Sequence, residues 1–202
     1  SAPNFSTAGI KWIWMSHETG HVLGLTHPHS YDNNDKKLAS IFDLMDAGLV
    51  APEFYGWNRW LLGWLGDNQI ACVNSENFSQ PKIDIKLSTL ELANSERKML
   101  ILKLDQYRAI VVESRHADGL DNLPASYEGI AVYLVDTRKN NDGPIQPILG
   151  DKIVIDPSYP KFNGSRVVGT ISVGESVASN GYQVKDLASD PSGDFVELAH
   201  TP

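Results

Sequence analysis

Residues 17–27, HETGHVLGLTH, carry side chains whose types and spacing could do chemistry. His17 and His21 are four apart, so a helix stacks their imidazoles on one face, one turn apart. Two ring nitrogens placed that way can meet one zinc ion at about 2.0–2.1 Å each. Glu18 follows the first histidine and projects beside such an ion without binding it. From there it could take a proton from a metal-activated water. Gly24 lets the chain leave the helix in a sharp turn, and three residues on His27 can return as a third ligand. Three protein ligands leave a fourth position for water, the mark of a catalytic rather than a structural zinc site.

The helix that must present these groups reads from Ile10 to Leu23. Ile10, Ile13, Trp14, His17, His21 and Gly24 recur at spacings of three and four. Ser6 and Thr7 are candidate caps, and Gly24 stands where a helix ends in a left-handed residue. A polar loop, SYDNNDKK, follows; then come FDLMDAG and a second helical stretch, WNRWLLGWL. Trp57, Trp60, Leu61 and Trp64 fall on one face there, and at helical spacing such a stripe reads as core rather than a stacking surface. Beyond about Ser79 the period changes to two. KIDIKL, KMLILKL, RAIVVES, GIAVYLVD, DKIVI, RVVGTISV, GYQVKDL and DFVELA are separated by Asn, Asp, Gly and Pro clusters. Such a succession predicts an antiparallel sandwich or barrel. The expected fold is therefore α+β: a zinc-binding helix in a helical and loop subdomain, then an antiparallel β-sandwich-like domain. The polar stretch NSENFSQP places the boundary between residues 1–75 and 76–202.

Composition bounds the function. Hydrophobic residues make up 42% and charged residues 21%, as in soluble globular proteins. No run approaches eighteen apolar residues, which excludes a helical membrane span. The net charge of -8 and the lack of a basic stripe argue against a nucleic-acid partner. The single cysteine, Cys72, rules out an internal disulfide and a cysteine-rich zinc module. Between Ile70, Ala71 and Val73 it reads as a small buried hydrophobe. The first residues, SAPNFSTAG, lack the regions of a signal peptide, so an exported protein would carry its signal upstream.

The longer pattern H-E-x-x-H-x-x-G-x-x-H is that of the metzincin metallopeptidases. Their second hallmark is a methionine turn beneath the zinc, and FDLMDAG with Met45 looks like that turn. Many metzincins carry an assisting tyrosine two residues later; Ala47 stands there, so that role is absent or filled from elsewhere. HETGHVLGLTHPHSYD, FDLMDAG and WNRWLLGWLGD together are similar in order and spacing to the immune inhibitor A-like family of secreted bacterial metallopeptidases. VVESRHADGLDNLPASYEGIAVYLVDT and VGESVASNGYQVKDL more loosely resemble that family's downstream segments. The resemblance implies a secreted zinc endopeptidase acting on proteins or peptides. His17, His21 and His27 would hold the metal, Glu18 would be general base and then acid, and Met45 would support the site.

Some relatives take the third ligand from an acidic residue further on, which makes Asp32 and Glu53 the lesser candidates. In zinc endopeptidases of this type a sheet precedes the metal-binding helix and pairs with the substrate. Sixteen residues precede His17, so the expectation is part of a longer precursor or a reduced substrate-binding half. Two rival readings are a protease-derived binding or adhesion module with a non-catalytic zinc, and zinc hydrolysis of a non-peptide substrate. Among weaker signals, His29 reads as a solvated loop histidine. YDNNDKK offers oxygen donors that calcium (Ca2+) prefers, without the ordered spacing of a known loop. Glu113, Arg115 and Asp121 read as an ion-pair and turn cluster in a sandwich loop.

Overall fold

The computed structural model describes residues 7–31, 37–40, 42–46, 53–121, 123, 125–139, 145–148, 154–155, 165–168 and 170–201. Helix α1 (Thr7–Val22) forms where the periodicity predicts it. Gly24 ends it with φ +90°, a conformation that costs glycine nothing because it lacks a Cβ. Helix α2 (Gly56–Leu61) is shorter than the apolar pattern suggests. Gly63, at φ +74°, turns the chain away before the stripe is complete. Trp57 and Trp60 therefore pack on the core, whereas Trp64 is 56% exposed, its ring 5.6 Å from that of Phe54.

Among the described residues the other elements are strands, apart from short 3-10 turns at Asp67–Gln69, Ser75–Asn77 and Ala125–Tyr127. The elements are β1 (His29–Tyr31), β2 (Lys37–Ser40), β3 (Ile70–Asn74), β4 (Lys82–Ser88), β5 (Met99–Lys103), β6 (Arg108–Arg115) and β7 (Gly129–Asp136). They continue as β8 (Ile145–Pro147), β9 (Val154–Ile155), β10 (Ser165–Val168), β11 (Thr170–Ile171), β12 (Ser176–Ser179), β13 (Tyr182–Asp190) and β14 (Gly193–His200). A six-stranded sheet runs β11-β7-β6-β5-β3, with β8 beside β7. A four-stranded antiparallel sheet runs β12-β13-β14-β4, and a smaller one runs β1-β2-β10-β9.

The six-stranded sheet is covered on both faces. Leu100, Leu102, Ile110, Val112 and Val132 point one way, into a core shared with Leu87, Val177, Val184, Val196 and Leu198 of the four-stranded sheet. Met99, Ile101, Val111 and Tyr133 point the other way, under Phe42, Tyr55, Trp57 and Trp60. Double coverage explains why MLILK and AIVVES are almost continuously apolar rather than alternating. Burying each such side chain contributes roughly 1.5–3 kcal/mol. The mostly-β architecture is consistent with the expected sandwich.

Three expectations need correction. No separate helical and loop subdomain forms among the described residues. The two ends of the stretch expected as a polar loop fall in β1 and β2, and β2 pairs in parallel with β10, Leu38 facing Ser165. β3 likewise joins β5 in parallel, Ile70 facing Met99. Strands of three to five residues are too short to show a period; β1 and β2 pair with each other, but β10 and β5, the parallel partners of β2 and β3, lie further along the chain. Cys72 is also not buried. It sits on β3, which pairs only with β5 at the end of the sheet path, so its apolar neighbours in sequence do not enclose it.

Glu113 and Arg115 lie within β6 rather than in a loop, and both are fully buried. Arg115 Nη1 is 3.1 Å from Glu113 Oε1, and its Nη2 is 2.7 Å from Asp121 Oδ2. The same guanidinium donates to the carbonyls of Phe54 (3.3 Å) and Phe42 (3.0 Å). Removing the cation would strand two carboxylates in a dry interior. Arg115→Ala is therefore expected to destabilise the fold by about 3–5 kcal/mol in urea unfolding.

At the end of the sandwich core Asp194 accepts from Ser114 Oγ (2.6 Å) and lies 2.9 Å from His116 Nε2. Burial, with Asp194 nearby, pushes the Asp186 carboxyl up to about 6. The hydrogen bond to Asp194 raises His116. Both groups hold a proton in the folded state where the unfolded chain has released it. Their stabilisation is present at low pH and is lost as pH rises, for Asp186 through about 6 and for His116 above its ordinary 6.5. In the presence of chelator, the thermal midpoint should fall steadily from pH 4.5 to 7.5. Asp186→Asn should flatten the part of that fall below pH 6.5, worth about 2 kcal/mol.

Candidate metal centre

His17 and His21 leave α1 one turn apart, and the glycine turn at residue 24 brings His27 back to them. His27 Nε2 lies 3.1 Å from His21 Nε2 and 3.2 Å from His17 Nε2. One ligand atom from each of the three falls within 4.8 Å of the others, a group that could hold a metal ion. The three histidines singled out by spacing are thus brought together.

The far side of two rings is fixed by main chain. His17 Nδ1 is 2.8 Å from the Leu44 carbonyl, and His21 Nδ1 is 3.0 Å from the Leu25 carbonyl. A carbonyl can only accept, so in each bond the Nδ1 carries the proton and Nε2 is left with its lone pair. Outer contacts of this kind fix ring orientation and raise ligand basicity. Trp14 stacks on His17, with ring centroids 5.9 Å apart and planes 9° from parallel. Glu18 lies exposed on the helix between the two histidines.

Met45 is fully buried directly beneath the helix, in a cluster with Ile13, Leu25, Leu44 and Phe54. Residue 20 must be glycine for this packing, because a Cβ there would collide with Met45 Sδ. The turn carrying Met45 is clipped by Asp43, a residue the spacing argument passed over. Asp43 Oδ1 accepts from Met45 N (2.7 Å), and Oδ2 accepts from Tyr55 N (2.6 Å) and Asn58 Nδ2 (3.0 Å). Burial pushes this carboxyl up to about 7, against the pull of those hydrogen bonds. A signal was present in the sequence: an aspartate between Phe42 and Leu44 has to be either buried with partners or exposed among hydrophobes.

Comparisons with protein-family models, curated proteins and solved structures find no match. The case for the site is carried by this chain's own residues.

Of the other sequence candidates, Glu53 falls outside the cluster. Glu53 is held by Arg59 Nη2 at 2.7 Å, and Arg59 also contacts Glu91. It does not join the converging nitrogens. Burial pushes Glu53 up to about 7 against the attraction of Arg59. Asp32, Ala47 and most of the candidate calcium segment, YDNNDKK, lie outside the described residues. His29 begins β1, and its side chain is likewise outside them. Among the described residues no helix is long and apolar enough to cross a membrane.

Asp43 holds the turn whose Leu44 carbonyl aligns His17. Asp43→Ala would leave the buried N–H groups of Met45 and Tyr55 without their acceptor. Stability should fall by about 3 kcal/mol. Metal affinity, measured by chelator competition on protein still folded at low temperature, should fall about tenfold or more.

Proposed function

We propose that the chain carries the catalytic metal site of a zinc-dependent endopeptidase similar to the secreted immune inhibitor A-like metallopeptidases. One observation carries this reading: the Nε2 atoms of His17, His21 and His27 converge while main-chain carbonyls hold Nδ1 of His17 and His21. Nitrogens about 2.0–2.1 Å from one tetrahedral ion stand roughly 3.3 Å apart, and the 3.1 and 3.2 Å separations fit that geometry. Three neutral imidazoles are also a donor set that suits zinc. When bound, the ion would polarise the scissile carbonyl and lower the pKa of water towards about 7.

The protein's own groups supply the rest. His17, His21 and His27 orient the ion, and Met45 fills the space under Gly20 so that the helix face stays fixed. The exposed Glu18 carboxylate accepts a proton from the attacking water and then delivers one to the departing amine nitrogen. A non-catalytic zinc in a binding module would need the histidines but would have no use for Glu18.

Glu18→Gln keeps the size and reach of the side chain but cannot accept the proton. Zinc content should stay near one equivalent, with folding unchanged, while cleavage of protein substrates drops about 100-fold or more. His17→Ala should instead lose most of the zinc. Both are measured by metal analysis and peptidase assay on the chain together with any sequence upstream of Ser1. Equal cleavage by Glu18→Gln would overturn the mechanism, and a zinc content indistinguishable from buffer would overturn the metal assignment.

A further inference from the structure

Two adjoining hollows flank the start of α2. The larger, about 350 Å³, is lined by Trp57, Trp60, Cys72, Ile101, Lys103 and Tyr107 among others. The smaller, about 240 Å³, is lined by Leu25, Thr26, Trp57, Leu61, Ile145 and Lys139 among others. Trp57, Val135 and Thr137 line both. The smaller hollow begins at the segment that carries the candidate centre: the Leu25 carbonyl holds His21, and Thr26 precedes His27.

We propose that this surface takes an extended polypeptide carrying two apolar side chains flanked by acidic residues, and that this is the class of segment presented to the metal centre. The inference rests on the peptidase reading for its occupant. Side chains at i and i+2 of an extended chain share one face, about 6.5–7 Å apart. Two adjoining hollows that share Trp57, Val135 and Thr137 can take two side chains from one face of an extended chain. Aromatic walls supply large apolar contact at little entropic cost.

Charge selects the flanks. Lys103 and Lys139 are exposed, one in each hollow, and neither forms an ion pair among the described residues. The carboxylate of Asp105, in the larger hollow, is engaged by Arg108 Nε at 2.7 Å. Asp67 adjoins the larger hollow, accepting from Trp60 Nε1 at 3.1 Å, so Lys103, Arg108 and Lys139 stand against Asp105 and Asp67, and the balance is positive on a chain whose net charge is -8. Such local complementarity steers acidic segments in and disfavours basic ones.

The test uses the Glu18→Gln protein, so that binding is read without cleavage. Fluorescence anisotropy compares the labelled pentapeptides Glu-Phe-Ala-Phe-Glu and Lys-Phe-Ala-Phe-Lys. The acidic peptide should bind at least about tenfold more tightly at low salt. The double substitution Lys103→Glu and Lys139→Glu, at exposed positions that leave the fold intact, should reverse the preference. Bound acidic peptide should also slow alkylation of Cys72, the one cysteine in the chain. Equal affinities, a preference unchanged by the double substitution, or unprotected Cys72 would each overturn the proposal. A chain that binds the acidic peptide here but cleaves nothing in its Glu18 form keeps this surface and loses the peptidase reading. One that cleaves proteins yet binds both peptides alike keeps the peptidase reading and loses this surface.

Discussion

Arg115 ends β6 with no part of its side chain exposed, and its guanidinium donates to main-chain carbonyls of two segments packed on the central sheet. The carbonyls of Phe42 and Phe54 bracket the methionine turn, so one cation anchors both ends of that segment to the central sheet. Glu113, paired with Arg115, reaches further and accepts from Gly56 N at 2.8 Å and from Tyr133 Oη at 2.7 Å. The first of these bonds seats α2 on the same sheet. Above this layer Asp43 draws Met45, Tyr55 and Asn58 together, and above Asp43 the Leu44 carbonyl reaches His17. The order of dependence runs from the sheet outward: buried ion pair, clipped turn, buried methionine, helix, imidazole. A buried pair of this kind is weak evidence for net stability. Its value here is positional, because it gives loop segments a single place to sit on a rigid sheet.

How much of this was legible from the chain alone depends on the range of the interaction. Helix α1, the facing pair His17 and His21, and the turn at Gly24 are local, set within a few residues, and they were readable. The convergence of His27 was readable for the same reason, since only four residues, Gly24 among them, separate it from the helix end. Strands buried on both faces, such as β5 and β6, announced themselves by apolar runs. β1, β2 and β3 did not, because a strand of three to five residues is defined by its partners, and β2, besides β1, pairs with β10 more than a hundred residues away. Cys72 was misjudged on the same ground: neighbours in sequence do not say which face of a strand at the end of a sheet is covered. Arg115, Glu113 and Asp121 were recognisable as an ion-pair cluster. Their attachment to Phe42, Phe54 and Gly56 was not, since those partners are main-chain atoms and leave no mark in residue identity.

Proton counting in the histidine cluster connects fold to chemistry. Hydrogen bonds to carbonyls commit Nδ1 of His17 and His21 as donors, so in the neutral rings each Nε2 has only a lone pair to offer. His27 Nε2 approaches both at hydrogen-bond distance but has at most one proton, so it can satisfy only one of them. Three nitrogens held this close with so few protons among them repel one another unless a cation lies between them. That arrangement costs free energy in the absence of a cation, and the scaffold beneath must supply it. The packing of Met45 under Gly20 and the clip formed by Asp43 are of the kind that can, being buried, hydrogen-bonded and tied to the central sheet. A site held open in this way does not need to reorganise when an ion arrives. Binding free energy that would otherwise go into ordering the ligands would then be expressed as affinity for an ion, and its binding would be coupled to folding stability through the same few residues.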